Sequence, residues 1–414
     1  MAFGLVETLA LAALGLLVGQ GLVRSIPVLH RLCLPEPVLG GLVLAALWSG
    51  LEAGWGVSLS FDLSLQTPLM IAFFLSVGWL ASLKSLRVGG PEVFKFLLLC
   101  SVVLVLQNLI GIGLARAMGA HPLLGVLSGS VSLAGGPGTA LAFAPLFEKA
   151  GVEDAGSIGT ACALAGIILG GLLGTPLSTH LIGLKGVKKN SLGVAPQIQK
   201  TGSSELPSGP EIVRSEASLL AHLKFFLIVM ALGSVLGRWI QDRGITLPIY
   251  IGSMLVAASA RNFLDFSIQR RHRLGRALPG RVLSGQLIDE LGSISLAYFL
   301  VVATMTLQFK QLAALAGLLV VILAVQTALA IGVARFVVFR FFGRDYDAAV
   351  MAGGFMGFML GTTANAVANM NALSNRYSER LGVPARAFLV VPLVGACFID
   401  FVNALVITFL VRAF

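Results

Sequence analysis

The chain has 414 residues, of which 57% are hydrophobic and only 12% charged, against about 25% charged in an average soluble domain. That balance, with a mean hydropathy of +0.92, excludes an ordinary soluble fold and fits a chain that crosses a bilayer many times. The net charge of +10 does not point to nucleic acid, because the basic residues fall in the breaks between apolar runs instead of on one patch.

In chain order, apolar stretches at 4–23, 36–51, 67–83 and 92–118 predict four spans, and 156–183 predicts a fifth. The first stretch has no basic n-region and no small-residue cleavage site, so it reads as a retained helix and not as a signal peptide. Before the fifth span, residues 122–147 are apolar but studded with Gly, Ser, Thr and Pro. Residues 184–216 are hydrophilic and rich in Lys, Ser, Gly and Pro, the composition of a flexible linker. The series then resumes at 217–240, 247–261, 287–308, 312–340 and 383–411, with a second anomalous segment at 347–372 carrying Gly, Thr and Asn. Cys33, Cys100, Cys162 and Cys397 lie far apart without metal-site spacing and read as packing residues.

The two halves repeat. Leu106 to Arg116 matches Val325 to Arg335, pairing Gln107 with Gln326, Gly113 with Gly332 and Arg116 with Arg335. Leu34-Pro35 recurs as Leu247-Pro248, and Gly138-Thr139 corresponds to Gly361-Thr362 inside the anomalous segments. The fold class expected is therefore an all-α polytopic membrane protein of about ten transmembrane helices, built as two five-helix repeats. The repeats are 1–183 and 217–414, joined by the linker 184–216, with re-entrant hairpins near 122–147 and 347–372. Five is odd, so the second repeat enters the membrane inverted. The basic residues agree: with both termini outside, only Arg116, Lys149, Arg238, Arg243, Lys310 and Arg412 of the 29 face outward, and the linker is cytoplasmic.

Three constellations carry chemistry. The first hairpin reads Ser128-Gly129-Ser130-Val131-Ser132-Leu133-Ala134-Gly135-Gly136-Pro137-Gly138-Thr139. Glycines and a proline at membrane depth free backbone groups that hydrocarbon does not tolerate unless they face protein or a wet cavity. Freed carbonyls and hydroxyls are hard ligands for Na⁺, and N–H groups at a half-helix start attract carboxylates. A small-residue packing face is the alternative. The second hairpin carries Gly361-Thr362-Thr363-Ala364-Asn365 and Asn369, with Asn365 and Asn369 on one helical face; such an amide row lines a site or bonds neighbouring helices. In the last span Asp400 lies near mid-membrane with Asn403 one turn on, a costly position for a carboxylate and a coupling-ion ligand by default, unless it pairs with Arg386 or Arg335. Gln107 and Asn108, with Gln326 and Thr327, form a weaker polar pair. The candidate substrate contacts are Ser132, Gly135, Gly136, Gly138, Thr139, Thr362, Thr363 and Asn365; the candidate Na⁺ ligands are Asp400, Asn403, Asn369 and Ser130. The chain has no G-x-S-x-G, H-E-x-x-H or P-loop motif, and it is not read as an enzyme.

Pro35 to Gly41, Gln107 to Gly113, Ser132 to Thr139, Asp345 to Val350, Ala366 to Met370 and Phe388 to Ile407 occur in an order that resembles the bacterial glutamate:sodium symporter family. The resemblance implies inverted five-helix repeats with re-entrant loops, Na⁺ as coupling ion, L-glutamate as substrate, a homodimer in the cytoplasmic membrane and an elevator-type alternating-access cycle. A carrier for another amino acid or a dicarboxylate is the alternative. Pro137 stands where the family typically carries a histidine, and Gly361 to Asn365 departs from the family's Gly-Ala-Thr-Pro-Thr pattern.

Overall fold

A computed structural model describes residues 2–31, 34–55, 59–83, 90–183, 216–243, 249–273, 284–307 and 310–414. Of the expected linker 184–216 only the last position is described, where a helix begins; the remainder, like Cys33, lies outside the described residues.

Helices occupy the predicted stretches: α1 Leu5–Ser25, α2 Glu36–Trp55, α3 Gln66–Leu80 and α4 Gly90–Ala117. The first anomalous segment is α5 Pro122–Val126, a π-helical turn Leu127–Val131 and α6 Gly136–Lys149, followed by α7 Ala155–Ile182. The second half gives α8 Glu216–Asp242, α9 Ile249–Arg273, α10 Gly285–Thr304 and α11 Lys310–Gly332. Then come α12 Tyr346–Met359, α13 Thr363–Leu381, α14 Ala385–Leu393 and α15 Ile399–Ala413, the last two joined through a π-helical turn Val394–Phe398.

Among the described residues six helical segments are long and apolar enough to cross a membrane: Leu5–Ser25, Gly90–Ala117, Ala155–Ile182, Leu220–Asp242, Gly285–Thr304 and Leu315–Phe341. Four expected spans, α2, α3, α9 and the last, are not among them, and for three of these the reasons are local. α3 has only 15 residues, α9 carries Arg261, Asp265 and a basic end, and the final span is divided at its π-helical turn. One element is not helical: Ala2–Phe3 (β1) pairs in parallel with Ser60–Phe61 (β2), with the Phe3 and Phe61 rings stacked at 5.5 Å. Cys100 and Cys162 are free and buried, as packing residues should be.

The chain forms two compact units, and neither follows a sequence half. One comprises α1, α2, α4 to α7, the end of α10 from Ala297, and α11 to α15; the other comprises α3 from Thr67, α8, α9 and the start of α10. In the first, α1 and α2 approach backbone to backbone: a Cβ on Gly40 would lie 1.8 Å from the Gly15 carbonyl oxygen. Ala12, Leu44, Val301, Val302 and Met305 fill the core beside that contact. In the second, Leu75, Trp79, Phe226, Val229, Ala257 and Ile288 form the core, and Phe74 stacks on Tyr250 at 4.0 Å. Half of the α7 span is buried within the protein, against 28% for α1, so α7 is the more enclosed and α1 leaves most of an apolar surface uncovered.

Candidate functional site

All the chemistry predicted from the sequence falls in the first unit. Pro122 opens α5 where its missing N–H costs nothing, and the His121 side chain caps the turn by accepting from Leu123 N–H. The helix then loosens into a π turn and breaks at Gly129, whose backbone is non-helical (φ −94°, ψ −126°). Space is tight there because α4 lies against it: a Cβ would sit 3.2 Å from Asn108 Oδ1 and 3.3 Å from the Gln107 carbonyl oxygen. Hydroxyls repair the local ladder, Ser128 donating to Leu124 O and Ser132 to Leu127 O, both at 2.5 Å. Gly136 turns the chain with φ +69°, a conformation open to glycine, and starts α6.

Ser130, one residue past the break, is gripped from two helices. Asn108 Nδ2 on α4 donates to Ser130 Oγ (2.9 Å), while Ser130 N–H donates back to Asn108 Oδ1 (3.3 Å). Ser130 Oγ–H donates to Asn403 Oδ1 on α15 (2.7 Å), and Asn403 Nδ2 donates to the Ser130 carbonyl (3.1 Å). The three side chains are at most 1% exposed. Asp400 lies one turn before Asn403 and makes no hydrogen bond or ion pair among the described residues. The basic partners that could neutralise it are engaged elsewhere: Arg386 pairs with Asp345 (2.7 Å) and Glu92 (3.3 Å), and Arg335 lies over the Phe336 ring.

The second hairpin is held by different means. Asp345 caps α12 by accepting from Ala348 N–H (2.8 Å), and Arg386 clamps that cap while donating to Phe342 O. α12 ends at Met359, and Thr362 caps α13 by accepting from Asn365 N–H (3.4 Å). The amide row then faces α7. Asn365 Nδ2 donates to Ile167 O (2.9 Å); Asn369 Nδ2 donates to Gly170 O (3.0 Å) and Gly353 O (3.2 Å), and its Oδ1 accepts from Thr175 Oγ1 (3.3 Å). Such approach needs glycine on α7. A Cβ on Gly166 would lie 2.2 Å from Leu360 O, and one on Gly174 would lie 2.2 Å from Asn369 Nδ2.

The two tips meet. A Cβ on Gly136 would be 2.9 Å from Thr362 Cγ2 and 3.9 Å from the Gly361 oxygen, so the starts of α6 and α13 come together with Gly135, Gly138, Thr139 and Thr363 around them. Of the expected Na⁺ ligands, Ser130 and Asn403 are bonded to each other and Asp400 is adjacent, whereas Asn369 belongs to the α7 contact. Ser132 serves the kink, and Asn365 keeps one buried oxygen, Oδ1, without a partner among the described residues.

The pair Gln107 and Asn108 looked secondary in the sequence but ties both hairpins to α4. Asn108 holds the first at Ser130; Gln107 Nε2 holds the second at Met359 O (3.0 Å), and Gln326 Nε2 on α11 secures the Gln107 carbonyl (2.6 Å). Their matched places in the two halves were the signal that could have ranked them higher. Among the described residues no cluster of His, Cys, Asp and Glu could hold a transition metal, so an ion here would meet hydroxyl, amide and carbonyl oxygens and one carboxylate.

Comparison with known proteins adds an independent line. The family model described as Sodium/glutamate symporter matches residues 1–379. The chain is 39% identical over 404 residues to the sodium/glutamate symporter of Escherichia coli strain K12, covering 97% of this chain and 95% of that protein. It is 35% identical over 411 residues to the protein of the same description from Haemophilus influenzae, covering 97% and 96%.

Proposed function

We propose that this chain, which belongs to the sodium/glutamate symporter family, carries glutamate into the cell together with Na⁺ across the bacterial cytoplasmic membrane. The observation that carries the reading is the convergence of two helix starts at the hairpin tips beside a buried oxygen network and an uncompensated carboxylate. Helix N-termini offer unpaired N–H groups and a partial positive charge, so two of them facing one another suit a substrate with two carboxylates. The substrate contacts in this reading are Ser132, Gly135, Gly136, Gly138 and Thr139 on one tip and Thr362, Thr363 and Asn365 on the other. Thr362 and Asn365 would have to exchange present bonds for substrate.

Na⁺ is a hard cation that takes several oxygen ligands, and a carboxylate in a low-dielectric site offsets its charge. Asp400 supplies that carboxylate. Asn403 and Ser130 supply amide, hydroxyl and carbonyl oxygens; their mutual hydrogen bonds occupy some of them, so ion binding in this reading rearranges the Asn108–Ser130–Asn403 contact and thereby moves the first hairpin. Asn369 contributes indirectly, by seating the second hairpin on α7. Coupling in this reading follows because one ion ligand, Ser130, and five substrate contacts, Ser132, Gly135, Gly136, Gly138 and Thr139, share one twelve-residue stretch, Ser128 to Thr139.

The topology belongs to the same proposal: two inverted five-helix repeats, 1–183 and 217–414, both termini outside, hairpins entering from opposite faces, a homodimer and an elevator-type cycle. A second reading, an ion-coupled carrier of another amino acid or a dicarboxylate, is favoured by Pro137, which offers no side-chain donor where the family carries an imidazole. Uptake of labelled glutamate into proteoliposomes tests both. Accumulation under a Na⁺ gradient, absent with K⁺ or H⁺ alone and competed best by glutamate, supports the first. Better competition by another amino acid or a dicarboxylate supports the second, and absence of gradient-driven uptake of any of them refutes the carrier reading.

A further inference from the structure

In the second unit, hydrogen-bond donors gather at one place without an acceptor. Trp79, at the end of α3, is 1% exposed, and its indole Nε1–H has no hydrogen-bond partner among the described residues. Arg261 on α9 lies over the Trp79 ring, 5.5 Å from its centroid, and gives its Nε–H to Asp265 Oδ2 at 3.3 Å. Its Nη groups make no hydrogen bond among the described residues. A Cβ built on Gly285 would lie 3.9 Å from both Arg261 Nη1 and Trp79 Nε1, which brings both donors to the first residue of α10. That helix start adds donors of its own. Ser284 N–H is taken by His222 Nε2 (2.7 Å), but Gly285, Gln286 and Leu287 fall in the first turn, where N–H groups have no intrahelical acceptor.

Donors turned toward donors require an acceptor between them, and an anion satisfies several at once. The neighbouring carboxylates do not fill this role. Asp265 accepts from Arg261 Nε and Ser82 Oγ, and Glu290 accepts from Gln286 Nε2. The flanking sequence is basic throughout: Lys84 and Arg87 follow Trp79, Arg270, Arg271, Arg273, Arg276 and Arg281 precede Gly285, and residues 266–288 contain no acid.

We infer that Trp79 Nε1, Arg261 and the start of α10 bind a phosphate group, and that its source is an anionic phospholipid. Tryptophan and arginine at the end of a membrane helix are placed at headgroup depth, and the basic flank favours a net negative lipid over a zwitterionic one.

The test uses the full chain, purified in detergent, as wild type, Trp79→Phe and Arg261→Gln. Trp79→Phe keeps an aromatic ring while removing the indole N–H and some volume, and Arg261→Gln removes the guanidinium while leaving Trp79 itself unchanged. The readout is retention of phosphatidylglycerol against diacylglycerol, which lacks the phosphate, with and without excess inorganic phosphate. Wild type should retain phosphatidylglycerol selectively, and each variant should hold it about tenfold more weakly, the order expected for one charge-assisted hydrogen bond; inorganic phosphate should displace little. Equal retention by all three proteins overturns the site. Trp79-dependent binding of inorganic phosphate that displaces the lipid overturns the lipid as its source.

Discussion

The two hairpins occupy matching places in the two halves and meet at their tips, yet they are held with different emphasis. The first is fixed by side chains: a helix broken at Gly129, a serine gripped by asparagines from α4 and α15, and hydroxyls bonding the freed carbonyls. The second is fixed by backbone proximity, with Gly166 and Gly174 letting α7 approach closely enough for Asn365 and Asn369 to bond its carbonyls. Side-chain hydrogen bonds can exchange for ion ligands with little change in packing. The contact at Gly166 cannot, because an added Cβ there meets the Leu360 backbone. The first hairpin is therefore the better candidate for an ion-sensitive element and the second for a rigid wall.

Substitutions can break this contrast, and the largest effect is expected at Asp400. Asp400→Asn keeps the shape and removes the charge that neutralises a cation, so Na⁺-driven accumulation should be abolished while the yield of folded protein stays near that of wild type. Accumulation with unchanged Na⁺ dependence would make Asp400 structural. Next comes Gly166→Val on the second hairpin's wall. Its Cβ would lie 2.2 Å from the Leu360 oxygen, a clash with backbone that no rotamer relieves, and thermal stability should fall with a loss on the order of 3 kcal/mol.

Asn403→Ala should act more mildly on stability but more selectively on the ion. It leaves the Ser130 hydroxyl and carbonyl short of a partner, costing about 1–3 kcal/mol, and should raise the Na⁺ concentration for half-maximal uptake about tenfold. Asn369→Ala should lower stability by about 1 kcal/mol and leave the Na⁺ dependence unchanged, because it removes interhelical bonds only. A shift in Na⁺ dependence equal to that of Asn403→Ala would erase the distinction between the hairpins. The smallest effect is a control within one helix: Gly113→Ala meets nothing within 4 Å and should be neutral in a thermal melt, whereas Gly111→Ala, 2.1 Å from the Gly125 oxygen, should not fold to full yield.

Much of this arrangement was legible in the sequence. The apolar runs located the helices to within a few residues, with α9 extending well beyond its expected end because a helix continues through its basic turn once it leaves hydrocarbon. The broken segments were legible because glycine, proline and hydroxyl residues at membrane depth have few structural uses. Partnership was not legible. Asn365 and Asn369 share a face, as their spacing required, but nothing in the spacing says that the face meets α7. Asn108 and Asn403 are 295 positions apart and converge on Ser130 only through packing of distant helices. The short β1–β2 pair escaped notice because two residues per strand leave no periodic signal.

The claim at the centre of this account is that both tips line one passage reached in turn from each side. Single cysteines at Gly138, in the first tip, and at Ala364, exposed on the second, report it directly when labelled by a membrane-impermeant thiol reagent in oriented vesicles. The account predicts that the two positions react from opposite faces and that Na⁺ and glutamate together protect both, with neither protected by K⁺ and glutamate. Reaction of both from the same face, or labelling indifferent to Na⁺ and glutamate, would contradict it.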